Sequence, residues 1–322
     1  MQITKTENIW CVQAPAKLNL FFEVHNKRAD GFHEITSLAV PVSLYDTVYF
    51  EPLTPETYQS GGCEAAVNAS AVNSNAVTSD ILFECSGSGG LSADIPIDGR
   101  NIVVKALELF RQRFRIKQGA KVKLIKRIPS QAGLGGGSSD ASAVLLAARE
   151  AWKPNLTLQE LSGLSAEIGS DCPLFFNDGA SLISGRGEII QPFNDCPPLH
   201  FVILKPDEGL STAEVYRQCM PLRSASGKIR NIDNLLSALQ SGSLEDIGRN
   251  FFNFLEFPAE KLWHNFTAVQ ERLENAGCIA VRMTGSGTAF YGLCRNGEDA
   301  ENIAEQLRKT LRQGEAVFAV RS

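Results

Sequence analysis

Several chemistries are excluded by what this sequence does not contain. Eight cysteines are scattered at 11, 63, 85, 172, 196, 219, 278 and 294 without a C-x-x-C pair, so neither a zinc site nor a disulfide scaffold is expected. The four histidines never fall in H-E-x-x-H spacing. No block of Lys or Arg stands out and the formal net charge is −5, which argues against a nucleic-acid groove and a nucleic-acid partner. No apolar run approaches the ~20 residues that cross a bilayer, so no membrane partner is expected. With no secretory signal, reduced thiols in a cytoplasmic enzyme are the expectation. Two familiar nucleotide signatures are missing as well. No Gly-Lys-Ser/Thr closes a Walker A loop, and neither His-Arg-Asp nor Asp-Phe-Gly is present.

What is there is an ordinary globular composition, 43% hydrophobic and 21% charged, in a chain of 322 residues that can form two domains. Residues 54–98 are rich in Ser, Gly, Asn and Ala. They read as a long surface insertion with at most one strand, 81–85. The Pro- and Cys-rich stretch 192–198 is the best junction, giving an N-terminal lobe at 1–195 and a C-terminal lobe at 196–322.

The most informative segment runs Pro129, Ser130, Gln131, Ala132, Gly133, Leu134, Gly135, Gly136, Gly137, Ser138, Ser139. It follows a strand-like run, 121–128, in which Val122, Leu124 and Ile128 share a period of two. It leads into a helix-like run with Ala141, Val144, Leu145 and Ala148 on one face. Strand, glycine turn and helix N-terminus together aim free backbone N–H groups and a positive dipole at one spot, as an anion site requires. The four glycines can take positive φ and admit a phosphate close to the backbone. Ser138 and Ser139 add hydroxyls for a phosphate oxygen or a Mg²⁺ ion. A plain flexible turn before a helix is the competing reading. Lys121, Lys123, Lys126 and Arg127 read as the solvated side of the strand. Asp140 reads as a first-turn helix carboxylate that must pair or point away from any phosphate.

Elsewhere, alternation from Ala16 puts Leu18, Leu20, Phe22 and Val24 on one face of a half-buried strand. Lys17 and Asn19 lie on the other. A turn at 28–31 precedes Phe32 and His33. Further helices are expected from about Asn101, from Thr157 (capped through Glu160, ending at Gly169), from Ser211 with Tyr216, over 258–275, and with Ile303, Leu307 and Leu311. Strands are expected at 47–51, 180–183, 200–204, 278–283, 289–293 and 316–320. A second glycine turn is Gly285-Ser286-Gly287-Thr288.

Three segments together resemble the galactokinase, homoserine kinase, mevalonate kinase and phosphomevalonate kinase superfamily: Pro15-Ala16-Lys17-Leu18-Asn19-Leu20, the 129–142 loop, and Thr284-Gly285-Ser286-Gly287-Thr288. Arg28-Ala29-Asp30-Gly31-Phe32-His33, the triple glycine and Gly169-Ser170-Asp171-Cys172-Pro173 narrow the likeness. They resemble the branch acting on cytidyl diphosphate-linked methylerythritol in isoprenoid precursor synthesis. The resemblance implies a two-lobed α+β small-molecule kinase, with a ribosomal protein S5-like N-terminal lobe and a ferredoxin-like C-terminal lobe. It implies ATP and Mg²⁺, a small-molecule substrate, and a monomer or homodimer.

By the same likeness residues 129–139 hold the ATP phosphates, Gly285, Ser286, Gly287 and Thr288 help close the site, and Lys17 and Asp171 are catalytic. Asn19, Phe32, His33, Thr212 and Tyr216 contact the substrate, with Phe32 and Tyr216 as an aromatic pair for cytosine. Each has a plainer alternative: a surface lysine for Lys17, a turn cap for Asp171, core packing for the aromatics. Phe32 departs from a frequent Tyr, and Asn253-Phe254-Leu255-Glu256 matches the family's Asn-Asp-Leu-Glu only in part. A sister kinase acting on a mevalonate- or homoserine-like alcohol and a non-catalytic nucleotide sensor are the rival functions.

Overall fold

The structure, a computed structural model, describes residues 1–53, 73–78, 80–87, 95–226 and 230–322. Packing divides the chain into two compact units, neither continuous in sequence: Met1–Pro15, Tyr45–Ile128 and Gly136–Phe176 form one, and Ala16–Leu44, Pro129–Gly135 and Asn177–Ser322 the other.

In the first unit β1 (Gln2–Thr6) pairs antiparallel with the start of β2 (Ile9–Lys27). The second half of β3 (His33–Pro52) belongs here too, as do β4 (Asn73–Thr78), β5 (Ile81–Gly87) and β6 (Ala120–Lys126). β6 lies antiparallel to β3 and parallel to β5. The parallel pair needs a crossover, which the helix Ile102–Phe114 supplies. Asn101 caps that helix by accepting from the Val103 N–H. Its buried face, Val103, Ala106, Leu107 and Phe110, is the one the sequence spacing marks. The core is completed by the helix Gly136–Trp152 and by edge-to-face aromatic contacts of Phe50 with Trp10 and Trp152.

In the second unit β7 (Ser181–Ser184) pairs with β3 at Ser37–Ala39 and with β8 (Ile189–Pro192). A separate antiparallel sheet contains β9 (His200–Lys205), and the two-residue strand β10 (Phe252–Asn253) runs parallel to β2. With β11 (Ala280–Met283), β12 (Phe290–Cys294) and β13 (Ala316–Arg321), the separate sheet has the order β11-β12-β9-β13. That order, with helices returning between β9 and β11 and between β12 and β13, is the ferredoxin-like βαββαβ arrangement.

Several expectations change. Both β4 and β5 fall within 54–98, not one strand at most, and Ile81 and Phe83 are core residues rather than surface. The rest of that stretch, 54–72, 79 and 88–94, lies outside the described residues, as does Cys63. The strand from Ala16 is buried on both faces through Val24, not half-buried. The capping box of Thr157 with Glu160 is present, but the helix ends at Ser165. The expected helix 258–275 is two, Glu256–Leu262 and Phe266–Asn275. Trp263 is extended between them, and there its ring and that of Phe266 both reach Phe290. Pro258 is tolerated because first-turn N–H groups have no intrahelical partner. The helices Asp233–Ser241 and Leu244–Arg249 have no counterpart among the expected elements. The described cysteines are all free, and no described helix is long and apolar enough to cross a membrane.

Candidate active site

The glycine segment divides into a turn and a helix start. Gly133 and Gly135 have φ of 72° and 71°, and Gln131 is left-handed as well. Gly136 and Gly137 are instead the first residues of the helix Gly136–Trp152. Only two of the four glycines therefore serve a positive φ. At Gly133 a Cβ would run into the Thr284 carbonyl. At Gly136 it would meet the Ile128 side chain at 2.9 Å and the Lys126 amine at 3.3 Å. Its smallness serves packing on the Cβ side, where the space is protein interior.

In the second unit two sequence-distant segments meet at Thr284. Its hydroxyl accepts from the Asn19 N–H (3.2 Å) and donates to the Gly133 carbonyl (3.3 Å). The Lys17 N–H donates to Leu134 O at 2.9 Å. Lys17 is 4% exposed, so it is not the surface lysine of the plainer reading, and its amine donates to the Asn19 side-chain oxygen. The Asn19 amide in turn donates to Ser37, which donates to Phe21 O. The buried Tyr291 hydroxyl donates to Asn19 O, and burial pushes that phenol well above its ordinary pKa. Gly285 lies where a Cβ would stand 3.1 Å from Gly133 O and 3.3 Å from the Lys17 amine. Thr212 and Ser286 share a hydrogen bond of 2.9 Å, and Thr288 donates to Glu208 O.

His33 and Tyr216 pack with ring centroids 5.6 Å apart. The buried His33 Nε2 has no hydrogen-bond partner, and burial followed by the Lys27 charge lowers the ring's pKa. Phe32 is exposed, with the Arg186 guanidinium 5.0 Å above its ring. Nothing in the sequence singles out Arg186, because its Gly185-Arg186-Gly187-Glu188 context reads as a plain turn.

In the first unit the same glycine segment is anchored by charge. Lys126 is buried and pairs with Asp46 and, at 2.7 Å, with Asp140. Asp46 also accepts from the N–H groups of Arg127 (2.5 Å) and Ile128 (2.9 Å). Burial pushes the Asp140 carboxyl well above the ordinary carboxylate range. Burial opposes the Lys126 charge, yet its two carboxylates hold the amine above its ordinary pKa. Lys126 is thus not on the solvated side of β6. The signal was legible: it continues the inward phase of Val122, Leu124 and Ile128.

Ser138 is half-buried, with its hydroxyl 3.9 Å from where a Cβ on Gly169 would stand. Ser139 is fully buried with no partner for its hydroxyl. Asp171 is half-buried and immediately precedes the 3₁₀ turn Cys172–Phe176. Ser142 ties that turn to the helix by donating to Cys172 O at 2.8 Å. No group of three or more His, Cys, Asp or Glu residues among the described residues can hold a metal.

Residues 101–179 match the family model for the N-terminal domain of GHMP kinases, and residues 235–313 match the model for their C-terminal domain. The chain is 34% identical over 297 residues to the 4-diphosphocytidyl-2-C-methyl-D-erythritol kinase of Pelotomaculum thermopropionicum, covering 92% of this chain and 93% of that one. It is 34% identical to the enzyme of that name from Geobacillus thermodenitrificans, covering 96% of each. A crystal structure of 4-(cytidine 5'-diphospho)-2C-methyl-D-erythritol kinase superposes with a TM-score of 0.73 at 30% identity, covering 97% of this chain and 98% of that one. With its glycine-turned helix N-terminus and its S5-like and ferredoxin-like lobes, the chain belongs to the 4-diphosphocytidyl-2-C-methyl-D-erythritol kinase family of GHMP kinases, which are ATP-dependent phosphotransferases.

Proposed function

We propose that the chain transfers the γ-phosphoryl group of ATP to the 2-hydroxyl of 4-diphosphocytidyl-2-C-methyl-D-erythritol, a step of isoprenoid precursor synthesis, in the cytoplasm. The joining of three segments carries this reading: the Thr284 hydroxyl bonds Asn19 N–H and Gly133 O, and the Lys17 N–H bonds Leu134 O. Phosphoryl transfer asks a protein for positioning and charge neutralisation rather than covalent chemistry. The positive-φ turn and the N–H groups opening the helix Gly136–Trp152 offer backbone donors to the triphosphate. Asp140 does not oppose that charge, because it is buried against Lys126.

Asp171 orients the substrate hydroxyl and accepts its proton, and Lys17 stabilises the negative charge on the attacking oxygen. Asn19 and His33 bind the diphosphocytidyl end, with Phe32 and Tyr216 offering ring faces to cytosine and Thr212 beside them. Mg²⁺ bound with ATP would neutralise charge on the β- and γ-phosphates, and a hydroxyl donor set rather than a carboxylate cage suits an ion held mainly by phosphates. Ser138, half-exposed, fits as that hydroxyl better than the fully buried Ser139. The division into lobes at 1–195 and 196–322 belongs to the same proposal, because the two family matches fall on either side of it. A monomer or homodimer is proposed with it.

A coupled ADP-release assay tests this directly. The cytidyl substrate is turned over, while mevalonate and homoserine are not. Turnover of either alcohol without the cytidyl compound would establish the sister kinase, and ATP binding without consumption the sensor. Asp171→Asn lowers kcat by ~10²–10⁴-fold with ATP affinity near wild type. An unchanged kcat would remove Asp171 from the mechanism.

A further inference from the structure

The Asn253-Phe254-Leu255-Glu256 segment has no place in the chemistry above, yet its two polar ends grip the backbone of the second glycine turn. Both amide hydrogens of Asn253 are used, to Met283 O and to Gly285 O, each at 2.8 Å. Its oxygen accepts from the Leu255 N–H at 3.0 Å. Glu256 accepts from the Met283 N–H at 2.8 Å. Residues 283–285 are therefore held on three backbone groups by two side chains.

The holder is itself fixed to the strand that carries Lys17. Asn253 pairs with Phe22 in β2, and the Phe254 N–H donates to Phe22 O at 2.8 Å. Asn253 is 1% exposed, so no water replaces a lost bond cheaply. The held turn then faces the Lys17 amine through Gly285 and Gly133 through Thr284. A planar group with two donors and one acceptor is what this position demands. Asp at 253 would turn a carboxylate toward two carbonyl oxygens. Phe254, by contrast, is buried against Phe257, where a departure from a polar residue costs no hydrogen bond.

We propose that Asn253 and Glu256 are positioning residues for phosphoryl transfer, fixing the 283–285 backbone against which Lys17 is set. The inference rests on the role of Lys17 given above. It is tested by steady-state and single-turnover kinetics, per folded molecule, on the full chain with ATP and the cytidyl substrate. Asn253→Asp lowers kcat by about 20-fold or more and leaves both KM values within about 3-fold, since misplacement of a reacting group costs rate rather than binding. Glu256→Ala loses about 10-fold, and Glu256→Gln, which keeps the acceptor oxygen, stays within about 3-fold of wild type.

In a Lys17→Met background Asn253→Asp changes the residual rate less than about 3-fold, because residues acting as one unit are not additive. Additive losses, an unchanged kcat, or Glu256→Gln as damaging as Glu256→Ala would overturn the inference. If Asn253→Asp does not fold, the Glu256 pair makes the same decision. A wild type inert toward the cytidyl substrate would overturn the function itself. An active wild type with unaffected variants would overturn this inference alone.

Discussion

The turn after β6 is held by charge, whereas the turn after β11 is held by an amide and a single buried acid. At the first, Asp46 takes the Arg127 and Ile128 N–H groups while sharing Lys126 with Asp140, all inside the unit's core. At the second, Asn253 and Glu256 take the backbone of 283–285, and burial pushes Glu256 up to about 7, against the pull of Arg282 and of the Met283 N–H. Both devices stiffen a glycine turn. They differ in what their loss leaves behind. An ionic clamp leaves an unpaired buried charge, which threatens the whole unit. An amide clamp leaves unpaired carbonyls, which loosen one loop.

Lys126→Met gives the sharpest contrast. It strands two buried carboxylates and costs about 3–5 kcal/mol of stability, read as a fall in Tm or in the denaturation midpoint. A loss under about 1 kcal/mol would mean that charge does not hold the first turn.

Glu256 probes the second clamp through pH. Its carboxyl holds a proton more tightly folded, at about 7, than at its ordinary value of 4.5. Its contribution to stability is therefore full below about 4.5 and lost as pH rises through about 7. At pH 8 the buried carboxylate costs on the order of 3 kcal/mol. Glu256→Gln has no such dependence, so the variant gains on wild type between pH 5 and pH 8. Parallel stability curves would show that Glu256 does not titrate in this window.

Gly136→Ala carries the smallest effect, about 1–3 kcal/mol of overpacking against Ile128 and Lys126. ATP affinity per folded molecule stays near wild type, because the added methyl points into the core. A selective loss of ATP affinity with unchanged Tm would put the phosphates where the packing now is.

The contrast between the clamps also marks what could be read in advance. The strand–turn–helix order at 121–152 was visible, because a period of two gives way to helical spacing across the glycines. The strands of the second sheet were visible as short runs between turn residues, and their ferredoxin-like order came only with the family resemblance. The break at Trp263 was not, since it follows from where two aromatic rings reach a third, and no local propensity encodes that. Burial of Lys126 was legible in its phase but masked by neighbouring cations. Arg186 over Phe32 and the grip of Asn253 on 283–285 join residues far apart in sequence, which no spacing reveals.

The sequence alone determined the element types and the identity of the glycine turns, because backbone freedom and hydrophobic period are local properties. It also determined the family, through ordered motifs. Tertiary structure alone decided which glycines need a positive φ and which need only smallness. It alone decided which charged residues are interior, and which distant side chains hold each turn. Those outcomes depend on what arrives from elsewhere in the chain to fill the space and satisfy the polar groups.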